Sequence, residues 1–520
     1  MNGALAVAQI VREAGIVAAA LATAGAFVLR DPRLRAGSLV VALALVPVLL
    51  LGELWDSEQI EPLRDRPAVA LAAAAAGLAV VCALATALTR RPAAFPLLVV
   101  AALPFRVPVE VGGDSANLLV PLYLVIGAGG VAYAWTRMRG DGEHERQASR
   151  AELALLAAVV LYAVQAAYSE DFEQALENVV FFYVPFALLL RLLVEVEWTR
   201  RLVLACLGLA ASLAVVFAGI GFWEYGTRHL LWNPKVVASN QFESYFRVNS
   251  LFFDPNIYGR FLAIVMIGLA ALMLWARERR TVLGVALVLA VLWAGLVLTF
   301  SQSSFAALLT GLAVLAALRW GLRPVLAVAG AAAAAVLVVL VAAPGALDVD
   351  LGSQRSLDDA TSGRASLMRG GVEMFADRPL GGFGSGSFAG VFREREEVSS
   401  EQAASASHTI PITVAAEQGL PGLAAYLAVL AAAATALFGG LSGLRPLRSR
   451  RARPESERGP PAELVARGAV AAAYTALVLH TLLYAAFLED PLSWTLIGIG
   501  IGLSATAPSS ARTRTGSNSP

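Results

Sequence analysis

Repeated apolar runs of membrane-crossing length set the limits on this fold. They fall at 13–29, 37–54, 67–88, 94–105, 117–135, 151–168, 176–194, 202–222, 257–276, 281–299, 303–319, 323–343, 411–438, 465–486 and 490–507. About 20 consecutive apolar residues cross the hydrocarbon core as an α-helix. The expected fold is therefore all-α: a polytopic integral membrane protein of roughly 12 to 15 transmembrane helices. The 94–105 run is short and flanked by prolines, so a re-entrant or broken helix is expected there. Composition agrees, with 58% hydrophobic and 15% charged residues, against about 25% charged in soluble domains. A net charge of +1 offers no basic surface for nucleic acid. Cys82 and Cys206 each lie inside an apolar run, where packing is the expected role, not a disulfide framework or a metal site. The first thirty residues lack a basic stretch before a short apolar core and read as a signal-anchor helix.

Loop charge orients the runs. Alternate loops are rich in arginine: Arg30, Arg33 and Arg35; Arg90 and Arg91; Arg137 to Arg150; Arg200 and Arg201; Arg277, Arg279 and Arg280; Arg319 and Arg323; and the stretch "LRPLRSRRARPESERG". The intervening short loops, "ELWDSEQIEPLRDR", "YSEDFEQ" and "LEDP", are acidic. The arginine-rich set is expected in the cytoplasm, together with the tail "ARTRTGSNSP", which reads as disordered. Two longer loops, 223–256 and 344–410, then fall on the outer side. The chain divides into N-terminal transmembrane helices (1–222), a core containing both long loops (223–438), a basic cytoplasmic loop (439–464), C-terminal transmembrane helices (465–507) and the tail (508–520). In the larger loop Leu367, Val372, Met374 and Phe375 stand near helical spacing, so an amphipathic helix lying on the membrane surface is expected.

Chemistry-bearing residues gather on the outer side. In "YFRVNSLFFDPNIYGRFLAIV", Asp254 followed by Pro255 is an N-cap with proline at the first helical position. The positive end of such a helix suits an anion. Asn256 and Arg260 share one face of it, and Arg247 precedes it. A guanidinium inside a span is costly unless it snorkels or faces a wet anionic cavity. The readings are capping with snorkelling, or a phosphate-binding cluster, for which the planar fork of arginine is suited. "TFSQSSF", with Ser301 and Gln302, is a polar break between helices or a plain tight turn. Arg364 and Arg369 precede "PLGGFGSGSF", which is a flexible linker or a phosphate cradle, without a Walker pattern. Of the histidines, His144 falls in a cytoplasmic loop, His229 in an outer loop near Trp223 and Trp232, and His480 inside a span. His408 stands where the large outer loop meets a helix, and imidazole is the natural base near neutral pH. A structural histidine is the competing reading. Neither HExxH nor a Cys/His pair is present, so no metal is expected.

The order of these motifs, Arg…Phe-x-Asp-Pro-Asn, Thr-Phe-Ser, a loop arginine before "PLGGFGSGSF", then "SHT…EQGLPGL", resembles the O-antigen ligase and polysaccharide polymerase superfamily of bacterial envelopes, over roughly 240–440. The resemblance implies a C-type, metal-independent glycosyltransferase without a cofactor, in the cytoplasmic membrane with its site outside. It would move a glycan from a polyprenyl-diphosphate carrier to a hydroxyl of a glycan, lipid or protein acceptor, among membrane lipids. It implies His408 as the catalytic base and Arg247 and Arg364 as diphosphate ligands. Two positions depart from the family pattern: Gln302 follows Ser301 where the family usually has arginine, and Thr409 follows His408 where it often has asparagine. Arg260 is the expected substitute for the missing arginine. Glu417, about 13 Å along the helix from His408, is expected as a supporting carboxylate with polar partners across the bundle. A transporter or flippase of lipid-linked glycans, or a structural envelope protein, is the alternative class. Transporters more often show inverted repeats and midplane charges.

Overall fold

The computed structural model describes residues 2–54, 64–111, 114–140, 146–231, 240, 245–342, 364–395, 409–444, 460–484 and 486–505. Helices dominate: α1 (Asn2–Val28), α2 (Pro32–Leu54), α3 (Pro67–Arg90), α4 (Ala94–Ala102), α5 (Val120–Met138), α6 (Arg150–Gln165), α7 (Phe172–Glu177), α8 (Val184–Val194), α9 (Arg200–Thr227), α10 (Pro255–Trp275), α11 (Arg279–Val297), α12 (Gln302–Trp320), α13 (Leu322–Ala342), α14 (Arg364–Asp377), α15 (Phe388–Arg395), α16 (Ile410–Phe438), α17 (Ala462–Leu483) and α18 (Pro491–Ala505). Among the described residues, eleven helices are long and apolar enough to cross a membrane. The chain is an all-α polytopic membrane protein. A single turn of π-helix, Asn178–Tyr183, joins α7 to α8.

The 94–105 run is short because the chain leaves the helix for a hairpin. α4 is followed by an antiparallel hairpin, β1 (Val107–Val111) and β2 (Asp114–Leu118), with Val107 opposite Leu118. The alternation in "VPVEV" favours a strand where the apolar-run pattern shows only a helix boundary.

Helix pairing places the two loop ends of the bundle. α10 lies between α11 and α12, α12 runs along α17, α6 along α16, and α8 along α18. α10 and α12 approach closely through small residues: a Cβ on Gly259 would stand 2.6 Å from Ser304 Oγ. Helices in lipid associate by such close packing, because the tails supply no hydrophobic drive. The N-terminal ends of α10, α12, α16 and α18 and the C-terminal end of α17 therefore meet at the acidic-loop end of the bundle.

α14 and α15 cover that end. Leu367, Met374, Phe383, Phe388 and Phe392 bury against Ala416 of α16 in a small core of their own. The amphipathic helix of the large loop thus forms, but its apolar face meets protein, and Val372 is left exposed.

A polar site at the acidic-loop end

Asp254 caps α10 in the manner its Asp-Pro sequence demands. Its Oδ1 accepts from the backbone N–H of Asn256 at 2.6 Å and of Ile257 at 3.4 Å, with Pro255 at the first helical position. The cap turns Asn256 toward two neighbours. Asn256 Oδ1 accepts from Arg247 Nη2 at 3.2 Å and from Ser301 Oγ at 2.7 Å. Arg247 Nε donates to the Thr299 carbonyl at 3.0 Å, so the guanidinium spans α10 and the 299–301 turn. Ser301 is itself the N-cap of α12. Ser303 Oγ and Ser304 Oγ lie 3.2 Å and 3.4 Å from Nε2 of His480, which is fully buried on α17.

One turn further along α10, Arg260 is 2% exposed and pairs through Nη2 with Asp490 Oδ2 at 2.5 Å. Its Nε and Nη1 have no hydrogen-bond partner. Asp490 is another Asp-Pro cap: its Oδ1 accepts from the Leu492 N–H at 2.9 Å at the start of α18. Arg106, just after α4, lines the same small cavity as Arg260 and Asp490. Burial lowers the Arg106 pKa, and the Asp490 carboxylate opposes that shift. Tyr484 hydrogen-bonds to the Asp254 carboxylate; burial, then the Asp254 charge, raise its pKa. Glu489, next to Asp490 in the chain, accepts from the Tyr183 hydroxyl at 2.8 Å. Burial pushes the Glu489 carboxyl up, against that hydrogen bond.

Backbone strain gathers here too. Four non-glycine residues among those described have positive φ, and three of them, Ser250 (53°), Phe300 (49°) and Ala486 (75°), lie in the connectors that frame these side chains. Such conformations persist only where surrounding structure fixes them, and they cluster at functional sites. Glu224 of α9 supplies part of that fixing, with Oε2 accepting from the backbone N–H groups of Asn249 (3.2 Å) and Ser250 (2.7 Å).

Glu417 does a different job. Its carboxylate accepts from the N–H groups of Gly386 at 3.0 Å and Phe388 at 3.1 Å, and its carbonyl from Gly384 at 2.8 Å. The glycine-rich segment is therefore neither a linker nor a phosphate cradle: its inward N–H groups are already bound. Gly382, Gly384 and Gly386 have φ of 66°, 95° and 79°, and a Cβ on Gly384 would collide with the Cα of Ser169. Ser169 Oγ donates to the Ser385 carbonyl at 2.7 Å, which docks the turn onto the end of α6.

The structure thus brings Arg247, Asp254, Asn256, Arg260 and Ser301 to one helix end and sets Glu417 apart. Gln302 begins α12 exposed, while Ser303 and Ser304 turn inward. Arg364 is the first residue of α14. His408 lies outside the described residues; the next residue, Thr409, donates from Oγ1 to the Leu482 carbonyl at 3.4 Å, beside the 484–490 connector. Sequence reasoning does not single out Arg106, Tyr484 or Asp490, and it places His480 only inside a span. Asp-Pro at 31–32, 254–255 and 490–491 starts a helix each time, a readable signal that Asp490 is a cap but not that it meets Arg260.

Fold and site define a multi-pass helical membrane protein with an arginine-bearing polar site at one end of its bundle. Residues 287–427 match the family model described as O-antigen ligase, Wzy_C. The match runs from α11 into α16, under a third of the chain, and that segment supports a likeness to the O-antigen ligase and polymerase superfamily, a membrane glycan ligase and polymerase family. No curated protein matches the chain.

Proposed function

We propose that the protein transfers a glycan from a polyprenyl-diphosphate carrier to an acceptor hydroxyl on the outer side of the cytoplasmic membrane, in cell-surface polysaccharide synthesis. The observation that carries this reading is the arginine cluster at the N-terminal end of α10, next to the segment that matches O-antigen ligase. A carrier lipid keeps its chain in the bilayer and its diphosphate at the interface, the depth at which that helix end stands if the acidic loops are outside.

In this mechanism the acceptor oxygen attacks the anomeric carbon as the bond from that carbon to the diphosphate oxygen breaks. His408 takes the acceptor proton. The leaving diphosphate gains negative charge, and Arg247, Arg260 and Arg364 stabilise it in a setting where water is scarce. Asn256 and Ser301 hold Arg247 in place, and Asp254 fixes the helix end. A single displacement inverts the anomeric configuration. The carrier bond already stores the energy, so neither a nucleotide nor a metal enters the scheme.

A transfer assay in cells, on normally inserted His408→Ala and Arg247→Ala proteins, tests this. Both are expected to lose transfer at least about 100-fold, the usual scale for a general base or for one charge-stabilising donor. Unchanged transfer by His408→Ala would remove the base. Product length separates the two family activities: chain growth marks a polymerase, a single addition a ligase.

A further inference from the structure

Arg106 belongs to none of the sequence motifs and lies outside the matched segment 287–427. It follows α4, where the short helix stops and the chain turns toward the hairpin. There Arg106, Arg260 and Asp490 line a cavity of ≈ 20 Å³ together with Leu103, Phe252 and Pro491. A cavity of that size takes about one oxygen atom or water.

Two arginines and one aspartate line the cavity. Arg260 and Asp490 cancel, being 2% exposed each and paired at 2.5 Å. Arg106 then adds a second guanidinium, close enough for the Arg260 charge to disfavour its own. A half-buried cation beside a buried one repels it, and desolvation raises the cost. An added anion relieves it. Arg260, which lines the cavity, is built to receive one: Asp490 takes only Nη2, and Nε and Nη1 are buried without a hydrogen-bond partner. Arg106 is half-buried, whereas Arg260 and Asp490 are 2% exposed, so Arg106 is the more accessible of the three.

We propose that Arg106 is a further binding residue for the donor: Arg106 and Arg260 clamp one phosphate of the diphosphate, with an oxygen entering the cavity, while Asp490 positions Arg260 by holding Nη2. This rests on the donor reading above. Arg247, tied to the same helix end through Asn256, is left for the second phosphate.

The test uses the full-length protein in lipid nanodiscs and a polyprenyl diphosphate without glycan as the probe. Arg106→Gln is expected to weaken binding about 10- to 100-fold, the range of lost charge-assisted hydrogen bonds. Arg106→Lys keeps the charge but not the fork and should fall between the two. Arg228→Gln, an exposed arginine stacked on Tyr225, should bind like the wild type. Binding by Arg106→Gln within twofold of wild type overturns the proposal. So does an equal loss in Arg228→Gln, which would mean a general charge field. If Arg106→Gln does not fold, Arg106→Lys decides: wild-type affinity there overturns the clamp. Failure of the wild type to bind the probe would sink the donor reading and this proposal with it. A wild type that binds beside an Arg106→Gln that binds equally sinks this proposal alone.

Discussion

At the scale of single residues, the Arg260–Asp490 pair sets the terms of the site. Taking two charges out of water costs several kcal/mol each, and their attraction repays this only while both are present. Arg260→Met should therefore destabilise the protein by up to about 3–5 kcal/mol, because it removes the direct ion-pair partner of a buried aspartate and leaves only the half-buried Arg106 nearby. Asp490→Asn should act in the same direction. The double variant is expected to lose clearly less than the sum, as measured by unfolding in detergent; additive losses would mean that the two do not act as a pair. Glu489 gives a pH test. Burial raises its folded pKa above the ordinary carboxylate value, with the Tyr183 hydrogen bond opposing. The stability it contributes is full below that ordinary value and is lost as pH rises through the raised one. Glu489→Gln cannot ionise, so its melting temperature should gain on the wild type as pH climbs through that window. Parallel melting curves against pH would overturn the assignment.

At the scale of elements, the glycine-rich turn and the kinked α16 act as one unit. Gly419 has φ of 64° inside α16, and the Leu420 N–H just after it donates to the Pro379 carbonyl at 2.8 Å. Glu417 then fastens the other end of the turn by two N–H groups. Glu417→Gln retains one acceptor oxygen where the carboxylate has two. It is expected to speed hydrogen exchange at Gly386 and Phe388 at least about tenfold, the scale of one lost buried hydrogen bond. Exchange in α10 and α12 should stay the same. An equal rise across all the helices would point to global loosening. The sequence announces a glycine-rich turn but not what binds it, because its partners near the end of α6 lie more than two hundred residues away.

At the scale of the whole molecule, α6 and α8, from the first half of the chain, pack against α16 and α18 from the last part. Arg106 and Asp490 meet for the same reason, across much of the length of the sequence. Alternate arginine-rich loops predict that reporters fused after α18 and within the loop between α13 and α14 lie on opposite sides of the membrane. A fusion after α18 should be active only with a cytoplasmic reporter, and one in the α13–α14 loop only with an outer reporter. Activity on the same side for both would break the alternation.

The helical membrane fold follows from the order of residues alone, since apolar length and backbone satisfaction leave a lipid-exposed segment little choice. The Asp254 cap, the Asn256–Arg260 face and the order of motifs follow in the same way, because each is local or set by helical spacing. Which side chains meet is settled in three dimensions: Arg260 faces Asp490, Arg106 joins them, and Glu417 serves the glycine-rich turn. Those partners are far apart in sequence, and packing of small residues between helices, not any local propensity, brings them within reach.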